Sequence, residues 1–190
     1  VCSSDLDGFT GAVGIWDSGR PGPVTAFRFD IDCVQVGETS DPAHEANAGG
    51  YASQRPNLMH ACGHDGHLAV GLGVAQWIKD HADQLCGKIK LVFQPAEEGT
   101  RGAQPMAESG ILDDVDFIVC THIGSSVPLH QVAVCTHGYL ATTKLDIYFE
   151  GVPAHAGANP EKGRSALMAA CSAAMMLVGI PRSGEGDTRI

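Results

Sequence analysis

Residues 64–94 read HDGHLAVGLGVAQWIKDHADQLCGKIKLVFQ, and this stretch decides the fold class. Leu68, Leu72, Ala75 and Ile78 recur at the spacing of one helix face, which predicts a helix from His64 to Leu85 with that face toward the core. Lys88 to Gln94 (Lys-Ile-Lys-Leu-Val-Phe-Gln), stopped by Pro95, predicts a strand. Upstream, Val24 to Ile31 has the same character and follows the breaker Gly19-Arg20-Pro21-Gly22-Pro23. Downstream, a short helix near Gly102 to Ser109 precedes a buried strand at Asp116 to Thr121. Strand, helix, strand, helix, strand requires crossovers, so the expectation is an α/β fold with a mostly parallel sheet and flanking helices.

Beyond His137-Gly138 the pattern changes. Gln131 to Thr136 and Thr142 to Phe149 read as strands, the second alternating as a half-exposed antiparallel strand does, and Arg164 to Val178 reads as a helix. The expected division is a catalytic domain over 1–137 and the first part of a smaller α+β domain over 138–190. Val36 to Pro56 is a long loop without periodicity, a length that points to function. Val1-Cys2-Ser3-Ser4-Asp5-Leu6 matches an in-frame translation of a sequencing adapter. It is set aside from the fold, and the first domain is expected to be incomplete at its N-terminus.

The composition, 44% hydrophobic and 18% charged over 190 residues, is that of a soluble globular chain able to form a core without staples. A net charge of −10 with no basic cluster excludes nucleic acid and anionic membranes as partners. Neither a spanning segment nor a signal pattern is visible, so the expected location is the cytoplasm. Seven scattered cysteines read as reduced thiols.

The chemistry concentrates in His60-Ala61-Cys62-Gly63-His64-Asp65-Gly66-His67, at a junction of loop and helix. Cys62 and His64 can turn toward one metal ion with Gly63 bending the chain between them, and the helix N-terminus favours the thiolate. The same segment also reads as a helix capped by Asp65 with incidental histidines. Glu97-Glu98 directly follows a strand, where α/β sheets present ligand-binding groups. One acid can hold a metal while the other deprotonates water, although adjacent acids in a surface loop are common. His122 ends another strand, a position where a lone histidine is more often structural. The placement of these groups at strand ends brings them to one sheet edge. His155 lies in a loop punctuated by Gly157 and Pro160; His44, His81, His130 and His137 have no supporting neighbours.

Four blocks, Phe27-Arg28-Phe29-Asp30-Ile31-Asp32, Met59 to His67, Gln94-Pro95-Ala96-Glu97-Glu98-Gly99 and Ala154-His155-Ala156-Gly157, together resemble the metal-dependent amidohydrolases of the aminoacylase and carboxypeptidase family. They are most similar to the branch with hippurate hydrolase and auxin-conjugate hydrolases. Gly19 to Pro23, Glu97 to Ala103 and Ala141 to Lys144 narrow the resemblance to enzymes acting on p-aminobenzoyl-glutamate. The resemblance implies a zinc-peptidase-like catalytic domain with a lid and dimerisation domain. It implies two divalent metal ions, zinc or manganese, with Cys62 a bridging thiolate and His64, Glu98 and His122 the further ligands. Glu97 would be the general base, Asp30 an acid supporting the metal cradle, and His155 a lid residue reaching the substrate carbonyl in a partner subunit. The substrate would be an N-acyl or N-aroyl amino acid, and the assembly a homodimer or a heterodimer with a related subunit.

Two departures qualify that implication. Cys33-Val34-Gln35 stands where relatives carry Ala-Leu-Pro or similar. The family's late metal-binding histidine and its carboxylate-binding Asn and Arg have no counterpart in this sequence, so the chain alone is expected to be inactive. The alternatives are a non-catalytic partner subunit or metal-binding fragment and, within the family, a dipeptidase or carboxypeptidase.

Overall fold

The computed structural model describes residues 2–6, 9–99, 101–124, 127–134, 143 and 145–182. The chain forms two compact units, Val1–Gln131 and Val132–Ile190. The expected boundary at His137-Gly138 lies outside the described residues.

The first unit is built on a five-stranded sheet of order β1-β2-β4-β3-β5, from β1 (Cys2–Leu6), β2 (Phe9–Asp17), β3 (Val24–Asp30), β4 (Lys88–Gln94) and β5 (Phe117–Cys120). The sheet is mixed. β3 runs parallel to both β4 and β5, whereas β2 is antiparallel to β4 and to β1. The expected α/β architecture with flanking helices is present, its parallel part at β4-β3-β5, and β1 and β2 add two antiparallel pairings. Gly11 and Gly14 dilute the strand signal of β2, and Cys2–Leu6, expected to lie outside the fold, runs along the edge that β2 would otherwise leave open. The parallel register sets Asp30 beside Gln94 and Arg28 beside Cys120, so the C-terminal ends of β3, β4 and β5 open at one edge.

Residues alternate between two apolar clusters. Val13, Ala26 and Val92 pack with Met106 of α3 (Ala103–Glu108), while Phe29 and Leu91 pack with Ile78 of α2 (His64–Asp80). Burying Phe29, 1% exposed, contributes about 1.5–3 kcal/mol. The expected face of α2 meets the core at Ala75 and Ile78 but not in its first half. Gly71 and Ile78 are buried, whereas Leu68 and Leu72 are 39% and 59% exposed. The reason is close approach: a Cβ at residue 71 would stand 2.5 Å from the Phe93 ring and 2.9 Å from that of Phe29. Only glycine lets the helix axis come so near, and the contact rotates the leucines outward. β5 also departs from expectation, being an exposed edge strand.

Two segments tie the frame together. The Arg20 guanidinium donates to the carbonyls of Ala82 at 3.0 Å, Asp83 at 2.8 Å and Leu85, joining the β2–β3 turn to the chain beyond α2. The long loop after β3 contains α1 (Glu45–Ala48) and is closed by backbone pairing of Val34 with Met59. It walls a cleft of about 410 Å³ lined in part by Tyr51, Arg55, Met59 and His60.

In the second unit, α4 (Ala166–Val178) is capped by Ser165, whose hydroxyl accepts the Met168 N–H at 3.1 Å. The strands expected over 131–136 and 142–149 are not formed by their described residues. A strand needs partner backbone, and among the described residues none pairs with 145–149. No helix among the described residues is long and apolar enough to cross a membrane.

Candidate metal centre

At the strand-end edge, β3 delivers Asp30 and Asp32, the chain after β4 delivers Glu97 and Glu98, the chain after β5 delivers His122, and the first turn of α2 delivers His64 and His67. Gly63, at φ 91°, makes the left-handed turn that starts the helix between Cys62 and His64. Ala96, at φ 57°, redirects the chain after Pro95.

His64 is fully buried, and its two nitrogens are treated differently. Nδ1–H donates to the Asp32 carbonyl at 3.0 Å and to the Asp32 carboxylate at 3.1 Å. Since a carbonyl can only accept, the proton of the neutral ring is on Nδ1 and Nε2 presents a lone pair. That Nε2 is buried without a hydrogen-bond partner among the described residues. Around it stand Asp30 Oδ2 at 3.8 Å, Glu97 Oε2 at 3.9 Å and Glu98 Oε1 at 3.8 Å. A buried lone pair facing three carboxylates fits a cation, because a naked nitrogen there is otherwise uncompensated.

Ligand atoms of Cys62, His64 and Glu98 lie within 4.8 Å of one another. His122 joins them: its Nε2 is 3.6 Å from Cys62 Sγ, and its Nδ1–H donates to the Ile123 carbonyl at 2.7 Å. Both histidines therefore fix Nδ1 on an oxygen and leave Nε2 as the ligand atom, the arrangement seen in metal-binding imidazoles. Thiolate, imidazole and carboxylate donors together suit divalent zinc or manganese.

Asp30 is fully buried, and both its oxygens are taken, Oδ1 by His67 Nδ1 and Oδ2 by Arg28 Nη1 at 2.7 Å. Burial alone would raise its pKa, yet the His67 hydrogen bond and the Arg28 charge hold the carboxyl below the ordinary aspartate value. Asp32 accepts the Glu98 N–H at 2.9 Å while holding His64, so one carboxylate aligns two members of the cluster. Glu97 is the most exposed of the three carboxylates around His64, at 40%.

The expectation that Cys62 is a thiolate by virtue of the helix N-terminus is not met by the protein groups alone. Partial desolvation, then the hydrogen bond and charge of Glu98, then Glu97 and Asp30, push its thiol up to about 11. Burial and the surrounding carboxylates together disfavour the thiolate, and a cation among those carboxylates would favour it.

Of the residues singled out in the sequence, Asp30, Cys62, His64, Glu97, Glu98 and His122 come together in the first unit. His155 lies in the second unit, exposed, with its Nδ1 accepting the Gly157 N–H at 3.1 Å. Sequence reasoning gives no role to Asp32 or His67. The available signals are spacing: Asp32 two residues beyond Asp30 on an extended chain, and His67 one helical turn beyond His64.

Comparison with known proteins shows the family of the chain. A family model described as Peptidase family M20/M25/M40 matches residues 26–186. A homolog of one p-aminobenzoyl-glutamate hydrolase subunit, from Haemophilus influenzae, is 52% identical over 185 residues, 97% of this chain and 44% of that protein. The crystal structure of the aminobenzoyl-glutamate utilization protein from Klebsiella pneumoniae matches 94% of this chain and 38% of its own at 42% identity, TM-score 0.60. The Bacillus subtilis YXEP protein, described as a dinuclear metal binding peptidase from the M20 family, matches 63% of this chain and 31% of its own at 34% identity, TM-score 0.56. The chain thus spans less than half the length of these relatives. The family match runs from Ala26, inside β3, through the whole strand-end cluster and beyond α4, and the chain belongs to peptidase family M20/M25/M40.

Proposed function

We propose that the whole protein hydrolyses the amide bond of an N-acyl or N-aroyl amino acid, p-aminobenzoyl-glutamate being the first substrate to test, with the help of two divalent metal ions, zinc or manganese. The observation that carries this reading is the buried, unpartnered Nε2 of His64 among three carboxylates and within ligand reach of Cys62. Cys62, His64, Glu98 and His122 would hold the metals. When bound, such ions polarise a scissile carbonyl and acidify water.

The remaining steps belong to the chain's own residues. Glu97, exposed beside His64, takes the proton of the attacking water on a carboxylate oxygen as the water oxygen bonds to the scissile carbon. It then gives that proton to the nitrogen of the departing amine as the C–N bond breaks. Asp32 keeps the His64 lone pair aimed inward, and Asp30, held ionised by the His67 hydrogen bond and the Arg28 charge, adds a fixed negative charge at the base of the cluster. His155 would act from the lid on the substrate carbonyl in a partner subunit's site.

In this reading residues 1–137 are the catalytic domain and 138–190 the start of the lid. The assembly is a dimer, of two copies or with a related subunit; the Haemophilus influenzae relative is named for one subunit of a hydrolase, which supports the second form. Both Haemophilus and Klebsiella relatives carry aminobenzoyl-glutamate in their names, which supports that substrate.

The test is a panel of p-aminobenzoyl-glutamate, hippurate and dipeptides given to the intact gene product. The highest kcat/KM is expected on the aroyl-glutamate. Preference for dipeptides would reassign it as a dipeptidase, and no turnover of any would favour the non-catalytic subunit.

A further inference from the structure

His67 is outside the proposed ligand set, yet it is 1% exposed and both its ring nitrogens are engaged. The Ile123 backbone N–H donates to Nε2 at 2.8 Å. A backbone amide can only donate, so Nε2 carries no proton and the proton of the neutral ring sits on Nδ1, against Asp30 Oδ1. Ligand atoms of Asp30, His64, His67 and His122 do lie within 4.8 Å of one another. His67 nevertheless has no free nitrogen to offer, so this grouping is not a second open cation site.

What His67 holds is Ile123, the residue after His122. Ile123 is fixed at three points: its N–H by His67, its carbonyl by His122 Nδ1–H at 2.7 Å, and its side chain by the first turn of α2. A Cβ added at Gly66 would lie 2.4 Å from Ile123 Cδ1, and one at Gly63 would lie 3.5 Å from it. β5, a four-residue exposed edge strand, ends two residues before His122 and gives it little restraint of its own. The His67 and His122 rings also meet edge to face, with centroids 4.5 Å apart.

We propose that His67 is a positioning residue: by anchoring Ile123 through Nε2, with Asp30 fixing its tautomer, it presents His122 Nε2 to Cys62 and the shared ligand space. This rests on the metal reading of the site.

Two half-isosteres separate its two bonds. In His67→Gln the amide oxygen stands where Nε2 was and can still accept the Ile123 N–H; in His67→Asn the amide nitrogen stands where Nδ1 was and keeps only the Asp30 contact. The experiment is a Co(II) titration of chelator-treated protein, read by thiolate-to-Co(II) charge-transfer absorption and by competition with a chelator. His67→Gln is expected to stay within about threefold of wild-type affinity and His67→Asn to lose about ten- to a hundredfold. Wild-type affinity in both variants, or a loss in His67→Gln whatever His67→Asn does, overturns the proposal. A wild-type protein that binds no Co(II) with that absorption instead removes the metal reading itself, which distinguishes the two failures. Should His67→Asn not fold, the wild-type decides alone: nitrogen-resolved imidazole spectra are expected to place the His67 proton on Nδ1, and a proton on Nε2 overturns the anchor.

Discussion

His64 Nε2 and Glu98 Oε1 face each other at 3.8 Å, too far for a hydrogen bond and near enough for one cation to touch both. Two atoms each about 2 Å from a common zinc ion stand roughly 3–4 Å apart. Asp32 enforces that spacing, since its carboxylate binds His64 Nδ1–H with one oxygen and the Glu98 N–H with the other.

Cys62→Ser replaces the one soft donor of the cluster with a hydroxyl that is a poor ligand at neutral pH. Metal bound per chain, measured by atomic emission after dialysis, is expected to fall. Unchanged content would contradict the assignment of Cys62 as a ligand.

Glu97→Gln keeps the size of the side chain and removes its basicity. In the full-length protein, kcat is expected to fall at least about a hundredfold while bound metal stays the same. A variant that keeps its rate would show that some other group moves the proton.

The parallel part of the sheet and the strand-end cluster are legible in the sequence because they rest on short-range patterns. Phe27 to Asp32, Cys62 to His67 and Glu97-Glu98 each sit where a strand or helix begins or ends, and turn chemistry marks those points. The rest depends on contacts between distant residues. Nothing near Leu68 or Leu72 announces that Gly71 will meet Phe29 and Phe93, and that meeting is what turns the leucines to solvent. The role of His67 depends on the amide of Ile123, 56 residues away, and a backbone donor leaves no signature in side-chain types. The thiol of Cys62 escapes a local reading for the same reason: the helix N-terminus is visible nearby, whereas Glu98 and Glu97 come from the chain after β4 and Asp30 from the end of β3.

Gly71 and Gly73 make a matched pair in α2. Gly71→Ala gains helix propensity but drives a methyl into the Phe93 and Phe29 rings, so a net loss of about 1–3 kcal/mol is expected. A Cβ at Gly73 meets nothing within 4 Å, and Gly73→Ala is expected to gain about 1 kcal/mol. Urea melts of the two variants read both signs; equal effects would contradict the close approach of α2 to the sheet.

Lys90, only 5% exposed, donates to Asp114 Oδ1 and, at 2.5 Å, to the Ile111 carbonyl. The Lys90 hydrogen bond holds the Asp114 carboxyl below its ordinary value. The folded state thus binds fewer protons at this site than the unfolded state, so the stabilisation is full above the unfolded value and is lost as pH falls below about 4. Asp114→Asn is expected to lower the melting temperature at pH 6 and to flatten its fall between pH 5 and pH 3. A parallel acid limb in wild type and variant would show that the pair contributes nothing to the pH dependence.

The most direct test of the central claim follows p-aminobenzoyl-glutamate hydrolysis by the intact protein as isolated, after removal of metal by a chelator, and after zinc or manganese is returned. Activity is expected to be lost on chelation and restored by one of the two ions. An undiminished rate in protein stripped of metal would contradict that claim.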